Sequence, residues 1–267
     1  MSRRQWIYER CEALYQRYNR AEYIDPDPLV IVRRSAELRE REIVALLASC
    51  LALGRVDLIL RAVEEVLERL PRPFTRLAEL EPKEITERSR GFVYRFFREN
   101  HLASLLIALS QLLRRHGSLE TALSVAKGDG TLQEGLQELV EMLSDYAPEP
   151  TSILLSNPRA GSASKRLHLF LRWMVRNDAV DPGGWDGFSP AELLVPVDTH
   201  MLRIARTLGI TERKQADLRT SEEITAFFRT IVPEDPARYD FVLTRFGIRP
   251  GFFAEVVEEF GENPYTP

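Results

Sequence analysis

Two helix starts in this chain carry side chains that can do chemistry. In Asn157-Pro-Arg-Ala-Gly-Ser-Ala-Ser-Lys-Arg a turn of small residues runs directly into a helix that opens with Lys165. The positive end of a helix dipole disfavours an ammonium group, and a lysine available as a free amine can attack a carbonyl or a sugar C1′. The same lysine also fits the solvated face of an amphipathic helix. In Pro196-Val-Asp-Thr-His-Met-Leu-Arg-Ile-Ala-Arg-Thr-Leu-Gly, Asp198 stands where an N-cap accepts from orphan N–H groups. Held there it is a fixed anion, able to stabilise a developing cation or take a proton, or simply a cap.

The helix after Lys165 places Leu167, Phe170, Leu171 and Met174 on one stripe, with Lys165, His168, Arg172 and Arg176 broadly opposite. The N–H groups of the turn and the arginines around it suit phosphate. Candidate nucleic-acid contacts are therefore Arg159, Gly161, Ser162, Ser164, Arg166, Arg172 and Arg176, joined by His200 and Arg203 from the second helix. His168, Trp173 and Trp185 are candidates to stack on a base, as is Phe188, although each also suits a packed interior. No second His or Cys stands at metal-ligand spacing, so no metal is expected.

The elements that must position these residues are helical. Helical spacing of apolar residues predicts helices over 5–23, 37–52, 56–70, 78–87, 92–98, 102–116, 118–126, 132–143, 164–175, 199–208, 221–231, 236–246 and 251–260. Asp25-Pro-Asp-Pro, Pro71-Arg-Pro and Pro148-Glu-Pro punctuate them, and residues 178–190 form a loop rich in Asp, Pro and Gly. No segment alternates as a strand does, so the expected class is all-α.

Composition narrows the classes. The chain is 44% hydrophobic and 28% charged, with a net charge of -4. Residues 151–214 hold nine basic and six acidic side chains, so a +3 island sits on an otherwise acidic protein. No apolar run is long enough for a membrane span and no signal-peptide pattern opens the chain, which makes a cytoplasmic protein the expectation. Cys11 and Cys50 are too few for a disulfide framework or a four-cysteine iron–sulfur cluster, and no cofactor is expected.

Val197-Asp-Thr-His followed by Arg203-Ile-Ala-Arg-Thr-Leu-Gly resembles the catalytic-aspartate segment of the helix-hairpin-helix/GPD DNA glycosylases. Gly161-Ser-Ala-Ser-Lys165 resembles the hairpin that carries the Schiff-base lysine of their bifunctional members. Arg41-Glu-Ile-Val-Ala-Leu-Leu-Ala-Ser-Cys, Gly91-Phe-Val-Tyr-Arg and Phe241-Val-Leu-Thr-Arg-Phe-Gly match further pieces in order. Closer still is the resemblance to a bacterial family of unknown function that looks like an offshoot of that superfamily. It is carried by Lys165-Arg-Leu-His-Leu-Phe-Leu-Arg-Trp-Met-Val-Arg, Val180-Asp-Pro-Gly-Gly-Trp and Asp235-Pro-Ala-Arg-Tyr-Asp-Phe.

The resemblance implies a helix-hairpin-helix glycosylase-like fold with a cleft between two helical lobes. One would span residues 36–176, and the other residues 1–35 and 177–267. It implies DNA as partner, Lys165 and Asp198 as catalytic residues, and base excision with an abasic-site lyase step. The chain departs from the pattern where Ala163 replaces the second hairpin glycine and where the usual duplex-filling glutamine is missing around Leu51 and Ala52. A non-catalytic nucleic-acid-binding protein of the same fold and a helical protein-interaction module are the alternatives.

Overall fold

In the computed structural model, which describes residues 1–150, 154–156, 158–245 and 260, the helical periodicity is realised almost throughout. The elements are α1 (Arg3–Tyr18), α2 (Leu29–Arg33), α3 (Leu38–Leu51), α4 (Val56–Arg69), α5 (Pro82–Ser89), β1 (Val93–Tyr94) and β2 (Phe97–Arg98). They continue with α6 (Glu99–His116), α7 (Leu119–Lys127), α8 (Leu132–Tyr146), α9 (Lys165–Val175), α10 (Thr199–Thr207), α11 (Leu218–Arg229) and α12 (Asp240–Thr244). The protein is predominantly α-helical.

Local chemistry sets the boundaries. Gly117 (φ 77°) ends α6 in the left-handed conformation, and the Ser118 hydroxyl accepts from Thr121 N–H to start α7 at once. Thr131 and Glu134 cap α8 reciprocally. At Gly135 a Cβ would lie 2.7 Å from Lys127 Cα, so α7 and α8 pack as closely as they do because that position has no side chain.

α3 is the central helix, buried over most of its length and packed against α2, α4 and α9. Its Glu42 is buried because it has specific partners. The carboxylate accepts from Leu119 N–H and Glu120 N–H at the start of α7 and from Trp185 Nε1. α6 packs on α5, α7 and α8, while α12 contacts α1 and α10. One hydrophobic cluster runs through these groups, from Trp6 through Leu46, Phe170 and Trp185 to Phe241.

Several expectations change. Residues 92–98, expected as a helix, form the β1–β2 hairpin, with Val93 opposite Arg98 and Tyr94 opposite Phe97. Gly91 (φ 78°) stops α5 from continuing, and Arg95 (φ 52°) takes the left-handed position that a two-residue hairpin turn requires. The helix expected at 78–87 starts instead at Pro82, with a tight 3-10 turn over Phe74–Glu79 before it. α1 ends at Tyr18, the short α2 was not foreseen, and the helix expected at 236–246 is confined to Asp240–Thr244 up to residue 245. Of the helix expected at 251–260, all but Phe260 lies outside the described residues.

Candidate functional site

α9 opens with an unusual entry. Gly161 (φ 77°) and Ser164 (φ 41°) both take left-handed backbone, and Ser164 N–H is held by the Ser162 hydroxyl at 3.1 Å. The turn is clamped to the start of α11, where Leu218 N–H donates to Gly161 O at 3.2 Å and Ser162 bridges to Asp217. Ser164, the N-cap of α9, makes no side-chain capping bond. The turn aims Lys165 at the start of α10, where its Nζ lies 2.6 Å from Asp198 Oδ2.

Asp198 divides its oxygens. Oδ1 accepts from His200 N–H at 2.8 Å and Met201 N–H at 2.9 Å, capping α10, while Oδ2 meets Lys165. Burial alone would raise this carboxyl, but the Lys165 ammonium and the backbone N–H donors hold it below the usual carboxylate range. Asp198 is therefore an anion at neutral pH. The two side chains are 35% and 21% exposed, so solvent and small groups reach the pair. A depression of 380 Å³ lined by Thr199, Leu202, Arg203, Arg206 and Thr207 begins one residue further along α10.

The other basic residues of α9 are not where helical periodicity placed them. Arg172 and Arg176 are buried, not solvent-facing. Arg172 binds Asp181 Oδ1 through Nε and Nη2 and Asp240 through Nη1. Arg176 grips both oxygens of Asp235 at 3.0 Å, Asp178 at 2.8 Å, and Asp181. Tyr15 Oη adds a donor to Asp178 from α1. This buried ionic seam joins α9 to α12, to the loop after α9 and to α1, and it leaves neither arginine open to a phosphate. Burial opposes the charge on Arg176, but Asp181, Asp235 and Asp178 outweigh it and raise its pKa. At Asp240 burial prevails over Arg172, and the carboxyl is pushed up to about 6.

The remaining candidates divide. His168 is fully buried, its pKa lowered to about 4 by desolvation, and Trp173, Trp185 and Phe188 are packed in the interior. Arg159 pairs with Glu138 and Glu141 of α8. Arg166 donates to Cys50 O at 2.6 Å and lies over the Phe97 ring. His200 is half-buried and Arg203 exposed, on the α10 side of the pair. Among the described residues no group of three or more His, Cys, Asp or Glu could hold a metal ion. No helix among them is long and apolar enough to cross a membrane.

Sequence reading missed the acidic partners. Asp181 lies in Val180-Asp-Pro-Gly-Gly-Trp, and Asp235 and Asp240 lie in Asp235-Pro-Ala-Arg-Tyr-Asp-Phe. Two of the three strings that carried the closer resemblance thus hold the acids that neutralise the third.

A family model described as "Protein of unknown function (DUF2400)" matches residues 27–249. The chain belongs to that family. The match takes in both members of the Lys165–Asp198 pair and the whole ionic seam apart from Tyr15. No curated protein and no solved structure matches the chain.

Proposed function

We infer that this chain acts on DNA as a base-excision glycosylase with an abasic-site lyase step, using Lys165 as nucleophile and Asp198 as its anion. One observation carries the reading. Two partly exposed, chemically complementary side chains, 33 positions apart in the chain and each at a helix start, meet at 2.6 Å. The start of α9 supports it, because Ser164 gives no side-chain cap there and the first N–H groups of a helix suit a phosphate oxygen.

The roles follow from the atoms. Once Lys165 has given up its proton, Nζ attacks C1′ of the target nucleotide. The N–C1′ bond forms as the glycosidic bond breaks, and the base leaves with a proton. Asp198, fixed by two backbone donors and ionised, faces the positive charge that develops on the sugar. The C1′–O4′ bond then opens as O4′ takes a proton, which leaves a protein-bound imine at C1′; on a sugar that is already abasic, Nζ displaces the C1′ hydroxyl as water instead. Abstraction of a C2′ proton then expels the 3′ phosphate and breaks the strand. In this reading α3 to α9 and the set formed by α1, α2 and α10 to α12 are the two lobes, and the target nucleotide enters between them.

A second reading has a specific observation in its favour: a lysine–aspartate pair that ties α9 to α10 also serves structure alone, in a nucleic-acid-binding protein without catalysis. Borohydride trapping on abasic-site DNA separates the two. A covalent adduct formed by the natural chain and lost in Lys165→Ala supports the enzyme. No adduct, together with no base release from damaged DNA, sinks it.

A further inference from the structure

Six large apolar side chains stand exposed among the described residues, and four of them lie on two adjoining pieces: Leu53 and Leu58 at the α3–α4 corner, and Val93 and Phe96 on the β1–β2 hairpin. Tyr94 Oη clasps the two pieces together by donating to Leu53 O at 2.7 Å. At the tip Phe96 is 63% exposed, and the Arg95 guanidinium sits 5.4 Å from its ring centroid. Arg95 lies against Gly54, whose lack of a side chain leaves room for the guanidinium. No carboxylate pairs with Arg95 among the described residues, whereas the nearby Asp57 is held by Arg55 at 3.1 Å. Beside the turn, the Arg166 guanidinium, one residue after Lys165, lies 6.0 Å from the Phe97 ring centroid.

We propose that the Arg95–Phe96 tip is a stacking site for an unpaired nucleobase, and that it makes single-stranded nucleic acid the preferred substrate class of the neighbouring Lys165 site. This rests on the reading of that site as one that meets nucleic acid. A duplex binder needs many cations along the phosphates. Here Arg172 and Arg176 are consumed by the seam and Arg159 is held by two glutamates. What the surface offers instead is an exposed ring, a poised guanidinium and an apolar surround. That combination suits the face of a base, and only an unpaired base leaves its face free.

Anisotropy titration of the full chain against one labelled oligonucleotide, single-stranded and then annealed to its complement, tests the proposal. The natural chain should bind the single strand at least about tenfold more tightly. Phe96→Ala should lose about tenfold on the single strand, and Phe96→Trp should retain binding. Because Phe96 is exposed, the alanine variant keeps the fold, which circular dichroism verifies. Equal affinity of Phe96→Ala and the natural chain overturns the proposal, as does a preference for duplex or the absence of binding to either. Borohydride trapping run alongside keeps the two readings apart. Phe96-dependent binding without an adduct means that only the lyase reading fails, whereas an adduct with Phe96-independent binding means that only the stacking site fails.

Discussion

His168 stands one helical turn beyond Lys165, buried, and neither ring nitrogen finds a hydrogen-bond partner among the described residues. A neutral imidazole tolerates this and an imidazolium does not. Its pKa falls from an ordinary 6.5 to about 4 in the folded chain. Between those values the unfolded chain takes up a proton that the folded chain refuses. Stability from this residue is complete above the unfolded value and is lost as pH falls toward the folded one, by about 2 kcal/mol near pH 5. Asp240 acts in the opposite sense, because its raised carboxyl makes ionisation between about 4 and 6 costly. A comparison of variants therefore isolates the histidine: His168→Phe should lose less stability than the natural chain between neutral pH and pH 5 in urea unfolding. The position of His168 on α9 was legible from periodicity, but its burial was not. A helical wheel assigns a face without saying what packs on it.

At the scale of elements, the sharpest constraint is the α7–α8 contact. Alanine is the better helix former by about 1 kcal/mol, so propensity alone predicts that Gly135→Ala stabilises α8. The backbone of Lys127 stands where the new methyl would go, and backbone cannot swing aside. We expect the clash to win and Gly135→Ala to destabilise by about 1–3 kcal/mol, read as a lowered Tm. Most helices were visible in the sequence because their apolar stripes are long. Residues 92–98 were not, since a short run such as Phe92-Val-Tyr with Phe97 fits either a helix or a hairpin by spacing. The deciding facts were the left-handed backbone at Gly91 and Arg95, and an arginine gives no warning of that.

At the scale of the molecule, the ionic seam holds together elements that are far apart in the chain, with Arg172 and Asp240 separated by 68 positions. Arg172→Met would leave Asp240 without its buried cation and Asp181 with only Arg176. That should cost about 3–5 kcal/mol in urea unfolding, a penalty for stranded charge rather than for lost packing. Pairing over such separations is why Arg172 and Arg176, expected to face phosphates, face carboxylates instead. In a sequence, a row of arginines facing water looks the same as one facing aspartates that arrive from other elements. Lys165 and Asp198 were legible because each also obeys a local rule, one opening a helix after a glycine turn and the other occupying an N-cap.

The split use of the Asp198 carboxylate means that its two duties can be taken apart genetically. In Asp198→Asn the remaining carbonyl oxygen stays with the His200 and Met201 N–H groups, which leaves the new amide NH2 pointing at the lysine, donor against donor. The helix would keep its start while the ammonium lost its counter-ion. A variant that unfolds like the natural chain would show that the cap survives the loss of the counter-ion, and any change in borohydride trapping would then belong to the Lys165 half of that residue.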